Sequence, residues 1–213
     1  MSGYDDAFLT SFGAVAEHYL RTHAPDAGRD GEWFGAPGRS LVEAIGIAAE
    51  SLIPTRIGGR LIRHSHQRRI PESVLQEARD CLLKAERAIG SCADFASLHS
   101  LVEDRIRAIP GVGELLVYDI AHRIGMFLGL APQNVYLHAG TRRGARALAI
   151  SIEQGFVPLS RLPAGLRSLS AGQAEDVLCI YRDALARLRA GEPAPAPGGC
   201  GRAQRGKRKP KCG

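Results

Sequence analysis

A proline and two glycines interrupt the helical pattern near the middle of the chain and constrain its fold more than any other feature. The stretch Ile109-Pro110-Gly111-Val112-Gly113 lies between two segments with helical apolar periodicity. Glycine adopts positive φ at little steric cost and leaves the main chain uncovered, so the pattern predicts a tight turn between two helices. The amides of Gly111, Val112 and Gly113 are then expected to face outward at the start of the second helix, where free donors and the helix dipole favour a phosphate.

The residues from Ala108 to Gly125 resemble the helix-hairpin-helix motif, in which such a hairpin grips the DNA backbone without reading its sequence. A longer and weaker similarity, from about Pro71 to Ile152, is to the helix-hairpin-helix base-excision DNA glycosylases of the HhH-GPD type. The resemblance implies a helix-hairpin-helix over residues 97–128 and DNA as the partner. It further implies recognition of, or action on, a damaged or modified base, and hence DNA repair or DNA modification. It implies no cofactor, the one exception being a monovalent cation that the hairpin could hold.

Composition predicts one helical domain without a membrane anchor. A chain of 213 residues with 45% hydrophobic residues can bury one good core. No apolar run approaches the roughly 20 residues that span a bilayer. The five cysteines are widely spaced, which favours reduced thiols. We therefore expect a cytoplasmic, nucleoid-associated protein with no metal site, because Cys200 with Cys212 and His64 with His66 each lack further ligands.

The positive charge is concentrated at the C-terminus. Of the net charge of +6, the segment 192–213 carries +5, which leaves only +1 for residues 1–191. The Pro/Ala/Gly spacer and basic cluster of this segment cannot bury a core. We therefore predict a helical, glycosylase-like domain over residues 1–191 and a disordered basic tail over residues 192–213, and we expect the tail to add nonspecific affinity for DNA.

Apolar periodicity and capping signals predict an all-α fold, with no convincing strand. The expected helices lie approximately within residues 5–23, 41–53, 71–89, 94–106, 114–128, 141–152 and 171–190. Residues 25–38 are expected to form a loop around Trp33, with the indole as a core anchor in preference to a lid.

Polar residues on the helix after the hairpin form the first candidate site. Tyr118, Asp119 and His122 share one face of a helix whose other positions are mostly apolar. Spacings of three and four residues bring His122 beside both of the others. One interpretation is a satisfied polar network that joins neighbouring helices, with Asp119 paired to Arg123. The other is an acid–base group at the floor of a pocket.

A second candidate site follows in Val135-Tyr136-Leu137-His138. In the glycosylases that this region resembles, an apolar-Asp-x-His sequence supplies a catalytic Asp, and Tyr136 stands in its place. A phenol with a pKa of about 10 cannot offer a negative charge at neutral pH. Leu115 replaces the Lys of the lyase-type members. We therefore consider Asp119, His122, Tyr136 and His138 as candidate catalytic residues, with Tyr136 and His138 lining the pocket.

Three arginines follow the second site on one face of the next expected helix. Arg142, Arg143 and Arg146 form either a solvated face or, if they share a groove with the hairpin, a surface that contacts the same DNA strand. Three hypotheses for function follow. The first is a glycosylase-like enzyme that works on a DNA base. The second is a modified-thymine-processing enzyme, similar to the α-glutamyl/putrescinyl thymine pyrophosphorylase group. The third is a DNA-binding module without catalysis.

Overall fold

Helices make up most of the structure. The computed structural model describes residues 8–55, 58–64 and 67–197. These segments contain ten α-helices, α1 to α10 in chain order: Phe12–Thr22, Ala24–Phe34, Leu41–Ala49, Glu72–Leu83, Glu86–Gly90, Phe95–Ile106, Glu114–Leu128, Ala139–Ala147, Ala171–Ile180 and Arg182–Arg189. Among them, no helix has the length and apolar character needed to cross a membrane. The prediction of a mainly helical chain is confirmed.

Short strands that the sequence did not predict pair into three antiparallel two-stranded ladders. The pairs are β1 (Phe8–Leu9) with β6 (Ala194–Pro195), β2 (Leu52–Pro54) with β3 (Leu61–Arg63), and β4 (Asn134–Tyr136) with β5 (Phe156–Pro158). Strands of two or three residues are too short to show a two-residue alternation, which explains why an all-α fold was expected.

The apolar residues form two cores. The first core lies between α3, α4, α5, α6 and α7 and includes the fully buried Ile45, Leu75, Leu98 and Ile120. The second core joins α1 to β4, β5 and α8–α10 and includes the fully buried Tyr19 and Leu178. Burying each such side chain stabilises the fold by roughly 1.5–3 kcal/mol. The middle of the chain therefore forms one core, while its two ends come together in the other.

Capping residues set several helix boundaries as the sequence indicates. Ser40 and Glu43 form a capping box at the start of α3, and Asp94 caps α6 by accepting from the amide of Ser97 at 2.8 Å. Ser170 caps α9 in the same way. These side chains satisfy amides that the first turn of a helix leaves free.

The prediction of a loop over residues 25–38 is wrong, because α2 occupies Ala24–Phe34. Proline at the start of α2 is compatible with the first helical turn, whereas Gly28 and Gly31 weaken the helical signal in the sequence. Phe34 is buried in this helix, while Trp33 is only half-buried and donates its Nε1–H to Leu52 O at 2.8 Å.

Other boundaries also differ from the prediction, because the helix expected at 41–53 ends at Ala49 and the helix expected at 71–89 is divided into α4 and α5. The helix expected at 141–152 is α8, which already begins at Ala139 and ends at Ala147, and Ala149 has φ +55°. Tyr181 divides the last predicted helix into α9 and α10. The boundary at residue 191 lies too early, since β6 pairs with β1 and buries Ala194. The predicted basic cluster lies outside the described residues.

Candidate functional site

The connection between α6 and α7 turns at Gly111. Its φ is +96°, which L side chains rarely adopt, and a Cβ there would lie 3.4 Å from Val74 Cγ2. Gly113 has φ −102°, which any residue can adopt. Both glycines are exposed. The sequence argument for positive φ therefore applies to the first glycine of the pair and not to the second.

Val112 stabilises the turn from within. Its amide donates to Ile109 O at 3.0 Å, its carbonyl accepts from Arg107 Nη1 at 2.6 Å, and its side chain is buried. The amide of Val112 is therefore not free to hold an anion, contrary to the prediction. No side chain within the described residues caps α7 at Gly113, so the start of this helix keeps the positive end of its dipole exposed.

Arg142 connects α8 to the start of α7. Its guanidinium donates to Glu114 at the first turn of α7 and, at 2.9 Å, to Leu137 O. Arg143 and Arg146 are exposed on the same helix. The three predicted arginines therefore lie on a helix next to the hairpin, but Arg142 is already paired with a carboxylate.

The polar face of α7 contains two side-chain pairs that the helical spacing predicted, Tyr118 with His122 and Asp119 with Arg123. Tyr118 and His122 stack with ring centroids 5.4 Å apart. Asp119 lies 3.7 Å from Arg123, and both side chains are largely buried. Arg123 further donates to Ser51 Oγ at 2.8 Å and to Gln67 Oε1 at 3.3 Å, while Gln67 Nε2 donates to Asp119. The carboxylate and the guanidinium thus satisfy each other within a network.

A cavity of about 330 Å³ opens beside this face of α7. We name it the acidic cavity. Residues of α1, α2, α7 and α9, with His64, line it: Tyr19, Ala24, Ala27, Gly28, Asp30, Phe34, His64, Tyr118, Asp119, His122, Arg123, Met126, Ser170, Gly172, Gln173, Glu175 and Asp176. The residues come from both cores, so the cavity lies where the two cores meet.

Two carboxylates of α9 face the acidic cavity and were not identified from the sequence. Glu175 is 8% exposed, and burial raises the pKa of its carboxyl, against the effect of its hydrogen bond with His138. Burial likewise raises the pKa of Asp176, which accepts a hydrogen bond from Tyr19 Oη at 2.6 Å. The buried environment disfavours the charged form of both groups.

Close packing of α8 against α9 brings His138 to Glu175. A Cβ on Gly144 of α8 would lie 2.0 Å from Leu178 O of α9, so only glycine permits this approach. His138 precedes α8, where its Nδ1 accepts from the Gly140 amide at 3.3 Å. Because Nδ1 is the acceptor in that contact, Nε2 is the nitrogen that donates to Glu175.

One buried polar group at the acidic cavity has no hydrogen-bond partner among the described residues. The hydroxyl of Tyr118 is buried without a partner, and the residue is 3% exposed. The ring of His122 makes aromatic contacts with Tyr118 and Phe95. Burial lowers the pKa of His122 to about 4, so its imidazole is neutral at pH 7. A buried hydroxyl normally has a partner, so the hydroxyl of Tyr118 is available to a group that enters this cavity.

Tyr136 and His138 line a second cavity, of about 370 Å³, on the other side of Tyr118. We name it the aromatic cavity. Tyr136 lies 4.4 Å from His99 and 5.9 Å from Tyr118, measured between ring centroids, and Phe156 also lines this space. The four candidate catalytic residues are therefore divided between two cavities. Asp119 and His122 face the acidic one, and the hydrogen bond from His138 to Glu175 connects the two.

A signal for Glu175 was present in the sequence. Ala171, Ala174 and Leu178 recur at helical spacing after the capping box of Ser170, and Glu175 lies on that apolar face. A carboxylate on the buried face of a helix requires a partner or a function. Its neighbour Asp176 also faces the cavity. The apolar periodicity of α9 does not distinguish the position of Asp176 from a solvent-exposed one.

The described residues include no group of three or more His, Cys, Asp or Glu side chains arranged to hold a metal ion. His64 Nε2 lies 3.4 Å from Asp30 at the acidic cavity, whereas His66 lies outside the described residues. No protein-family model matches the chain, and neither curated proteins nor solved structures give a significant match.

Proposed function

We propose that this protein binds DNA through the hairpin before α7 and acts on a single base in the acidic cavity. The observation that carries the proposal is that one helix contributes to both places. Gly113 is the N-cap residue of α7, and Asp119 faces the cavity six residues later, which corresponds to about 9 Å along a helix. A DNA backbone at the hairpin would therefore lie within the reach of one nucleotide of the cavity.

The charges around α7 support a division of roles between its two parts. The exposed start of α7 and the exposed Arg143 and Arg146 on the neighbouring helix favour phosphates. The acidic cavity has carboxylates on its walls, so it disfavours a phosphate and leaves room for a base. Backbone contacts would position the DNA, and the cavity would provide selectivity for the base.

The size and walls of the acidic cavity support an extruded base as its occupant. Its volume falls within the range of small-molecule sites. Enzymes that act on a base within duplex DNA take it out of the stack and hold it against aromatic side chains with its edge hydrogen-bonded. Tyr118 and His122 offer aromatic surface, and the Tyr118 hydroxyl offers an unpaired hydrogen-bonding group.

The carboxylates support chemistry at the bond between base and sugar. Glu175 is buried with a raised pKa, which suits a proton donor to a departing base. Asp119 is paired with Arg123 at the same cavity, where its carboxylate could stabilise positive charge on the sugar until a water molecule adds to the sugar carbon and loses a proton. Two carboxylates held in different environments are the usual means of dividing these roles.

A side chain placed in the acidic cavity tests the proposal without disturbing the Asp119–Arg123 pair. A Cβ on Gly172 would point toward His122, 3.5 Å away, and Gly172 has no positive φ, so Gly172→Val fills the cavity from α9. We expect this variant to bind duplex DNA within threefold of the wild-type affinity but to release or convert modified bases at least 100-fold more slowly. The assay is mass spectrometry of duplexes that carry a panel of damaged and modified bases.

Gly46→Val is the matched control, because Gly46 lies in α3 and a Cβ there meets nothing within 4 Å. It should retain full activity. Base processing by Gly172→Val at the wild-type rate would exclude the acidic cavity as the site. DNA binding without base processing by the wild-type protein would leave a DNA-binding module, and the absence of DNA binding at low ionic strength would refute the whole proposal.

A further inference from the structure

The aromatic cavity is larger than the acidic cavity but has no role in the proposed function. Its volume of about 370 Å³ falls within the range of small-molecule sites. Helix α6 and strands β4 and β5 contribute the aromatic side chains of its walls, which are His99, Tyr136 and Phe156. These three residues do not line the acidic cavity, so a ligand that contacts them would occupy a separate site.

The three aromatic side chains form adjoining surfaces on which a planar ligand can stack. The ring centroid of Tyr136 lies 4.4 Å from that of His99 and 6.4 Å from that of Phe156. All three residues are partly exposed, so part of each ring is open to a ligand. Burial lowers the pKa of His99, so its ring is uncharged at pH 7. Proteins hold unpaired nucleobases by stacking them on aromatic faces of this kind.

The position of the aromatic cavity favours a nucleobase over other planar ligands. Glu114, the first residue of α7, and Arg142 of the neighbouring helix both line the cavity. They lie next to the proposed phosphate contact, so a nucleotide whose phosphate is held at the hairpin can place its base against Tyr136. Tyr118 lines both cavities, so the neighbouring nucleotide of the same strand can reach the acidic cavity.

The polar side chains of the aromatic cavity complement the edge of a base better than a phosphate. Ser100 and Gln154 are exposed, line the cavity and offer both hydrogen-bond donors and acceptors. The guanidinium of Arg142 is already paired with Glu114, and Glu103 adds a further carboxylate. The charges in this cavity therefore do not favour an anion, whereas an uncharged base fits them.

We infer that the aromatic cavity binds a second nucleobase, next to the one that enters the acidic cavity, by stacking it against His99, Tyr136 and Phe156. The preferred partner is then DNA in which two neighbouring nucleotides are unpaired. The second base is held without reacting, so this cavity selects the structure of the DNA. The inference rests on the DNA contact of the proposed function but does not require its base chemistry.

Bulged duplexes test the inference. One duplex carries two consecutive unpaired adenines, a second carries two abasic residues at the same positions, and a third is fully paired. The two bulges have the same number of phosphates, so the ratio of their affinities isolates the contribution of the bases. Affinities are measured by fluorescence anisotropy at one fixed salt concentration. We expect the wild-type protein to bind the adenine bulge at least tenfold more tightly than the abasic bulge.

Gly172→Val fills the acidic cavity and leaves the aromatic cavity as the site for a base. In this background the ratio should remain at least fivefold, because one base can still stack on Tyr136. Adding Tyr136→Leu, which replaces the central aromatic ring with an aliphatic side chain, should bring the ratio to within twofold of one. Phe8→Leu in the same background is the matched control, because Phe8 is 67% exposed and lines neither cavity, and it should preserve the ratio.

The outcomes separate the inference from the proposed function. A ratio near one for Gly172→Val, with the wild-type ratio still tenfold, would overturn the inference and leave a base in the acidic cavity. A wild-type ratio near one, with tight binding of the paired duplex, would also overturn the inference and leave the DNA contact intact. If no duplex binds, the proposed function fails and the inference fails with it.

Photocrosslinking of the wild-type protein decides the question if a variant fails to fold. The bulge then carries two 5-iodouracils, and mass spectrometry identifies the residues that become linked to them on irradiation. A cross-link to His99, Tyr136 or Phe156 would support the inference. Cross-links that include none of these three residues would overturn it.

Discussion

The imidazole of His122 links the acidic cavity to the pH dependence of folding. Burial lowers its pKa from 6.5 to about 4, so protonation is harder in the folded than in the unfolded protein. A group with a lowered pKa contributes stability that is present above its unfolded pKa and is lost as the pH falls through the folded value. For His122 that window runs from about pH 6.5 to about pH 4.

Replacing His122 with phenylalanine should remove this contribution, because phenylalanine keeps an aromatic ring but does not titrate. Between pH 7.5 and pH 3.5, we expect the free energy of unfolding of the wild-type protein to fall by about 3 kcal/mol more than that of His122→Phe. Urea unfolding at half-unit pH steps measures the difference. Above pH 7.5 the two curves should run parallel, and parallel curves down to pH 3.5 would show that the imidazole is not buried in neutral form.

Contacts between residues of the same helix were the ones that the sequence predicted best. The spacing of Tyr118 with His122 and of Asp119 with Arg123 on α7 gave contacts that the structure contains. Contacts between different helices could not be predicted from residue spacing. The approach of His138 to Glu175 depends on Gly144 packing against α9, and no local pattern encodes that distance.

At the scale of elements, α7 is the helix on which the proposed DNA contact depends. Leu115 is exposed in the first turn of α7, where a glutamate would place a negative charge beside a bound phosphate. We expect Leu115→Glu to weaken binding to a duplex at least tenfold. Fluorescence anisotropy at low ionic strength measures the change, and a melting curve confirms that the variant is folded.

Leu61→Glu is the control for net charge, because Leu61 is an exposed leucine in β3. It changes the charge of the protein by the same amount, so a general electrostatic effect would appear in both variants. Binding should remain within twofold of the wild type. Equal weakening by the two substitutions would mean that the start of α7 is not the DNA contact.

Elements were predictable where a capping residue and an apolar period agree, as in α3, α6 and α9. The helix α2 was missed because its glycines weaken its own helical preference, and packing against α1 and α7 supplies what the sequence lacks. The three strand pairs were missed for a related reason. Their partners are distant in the chain or very short, so only the folded chain brings them together.

At the scale of the whole molecule, the cavity exists because two cores meet beside α7. Helix α7, which packs into the first core, contributes its polar face, while α1 and α9, which pack into the second, contribute Tyr19, Glu175 and Asp176. Sequence periodicity identified most of the helices of both cores but could not indicate which faces would meet. The composition of the site therefore emerges only from the assembled fold, whereas the hairpin was visible as a local motif.

The C-terminal segment allows binding affinity and folding stability to be tested separately. Residues 198–213 carry six basic residues and no acidic ones, while β6 lies just before them. Deleting 198–213 should leave the melting temperature unchanged and make the dependence of log Kobs on log salt less steep, by about 0.9 for each phosphate that the segment neutralises. Deleting 192–213 removes β6 as well, and with it the buried Ala194, so the melting temperature should fall. Equal salt slopes for the full chain and the shorter deletion would show that the basic residues do not contact DNA.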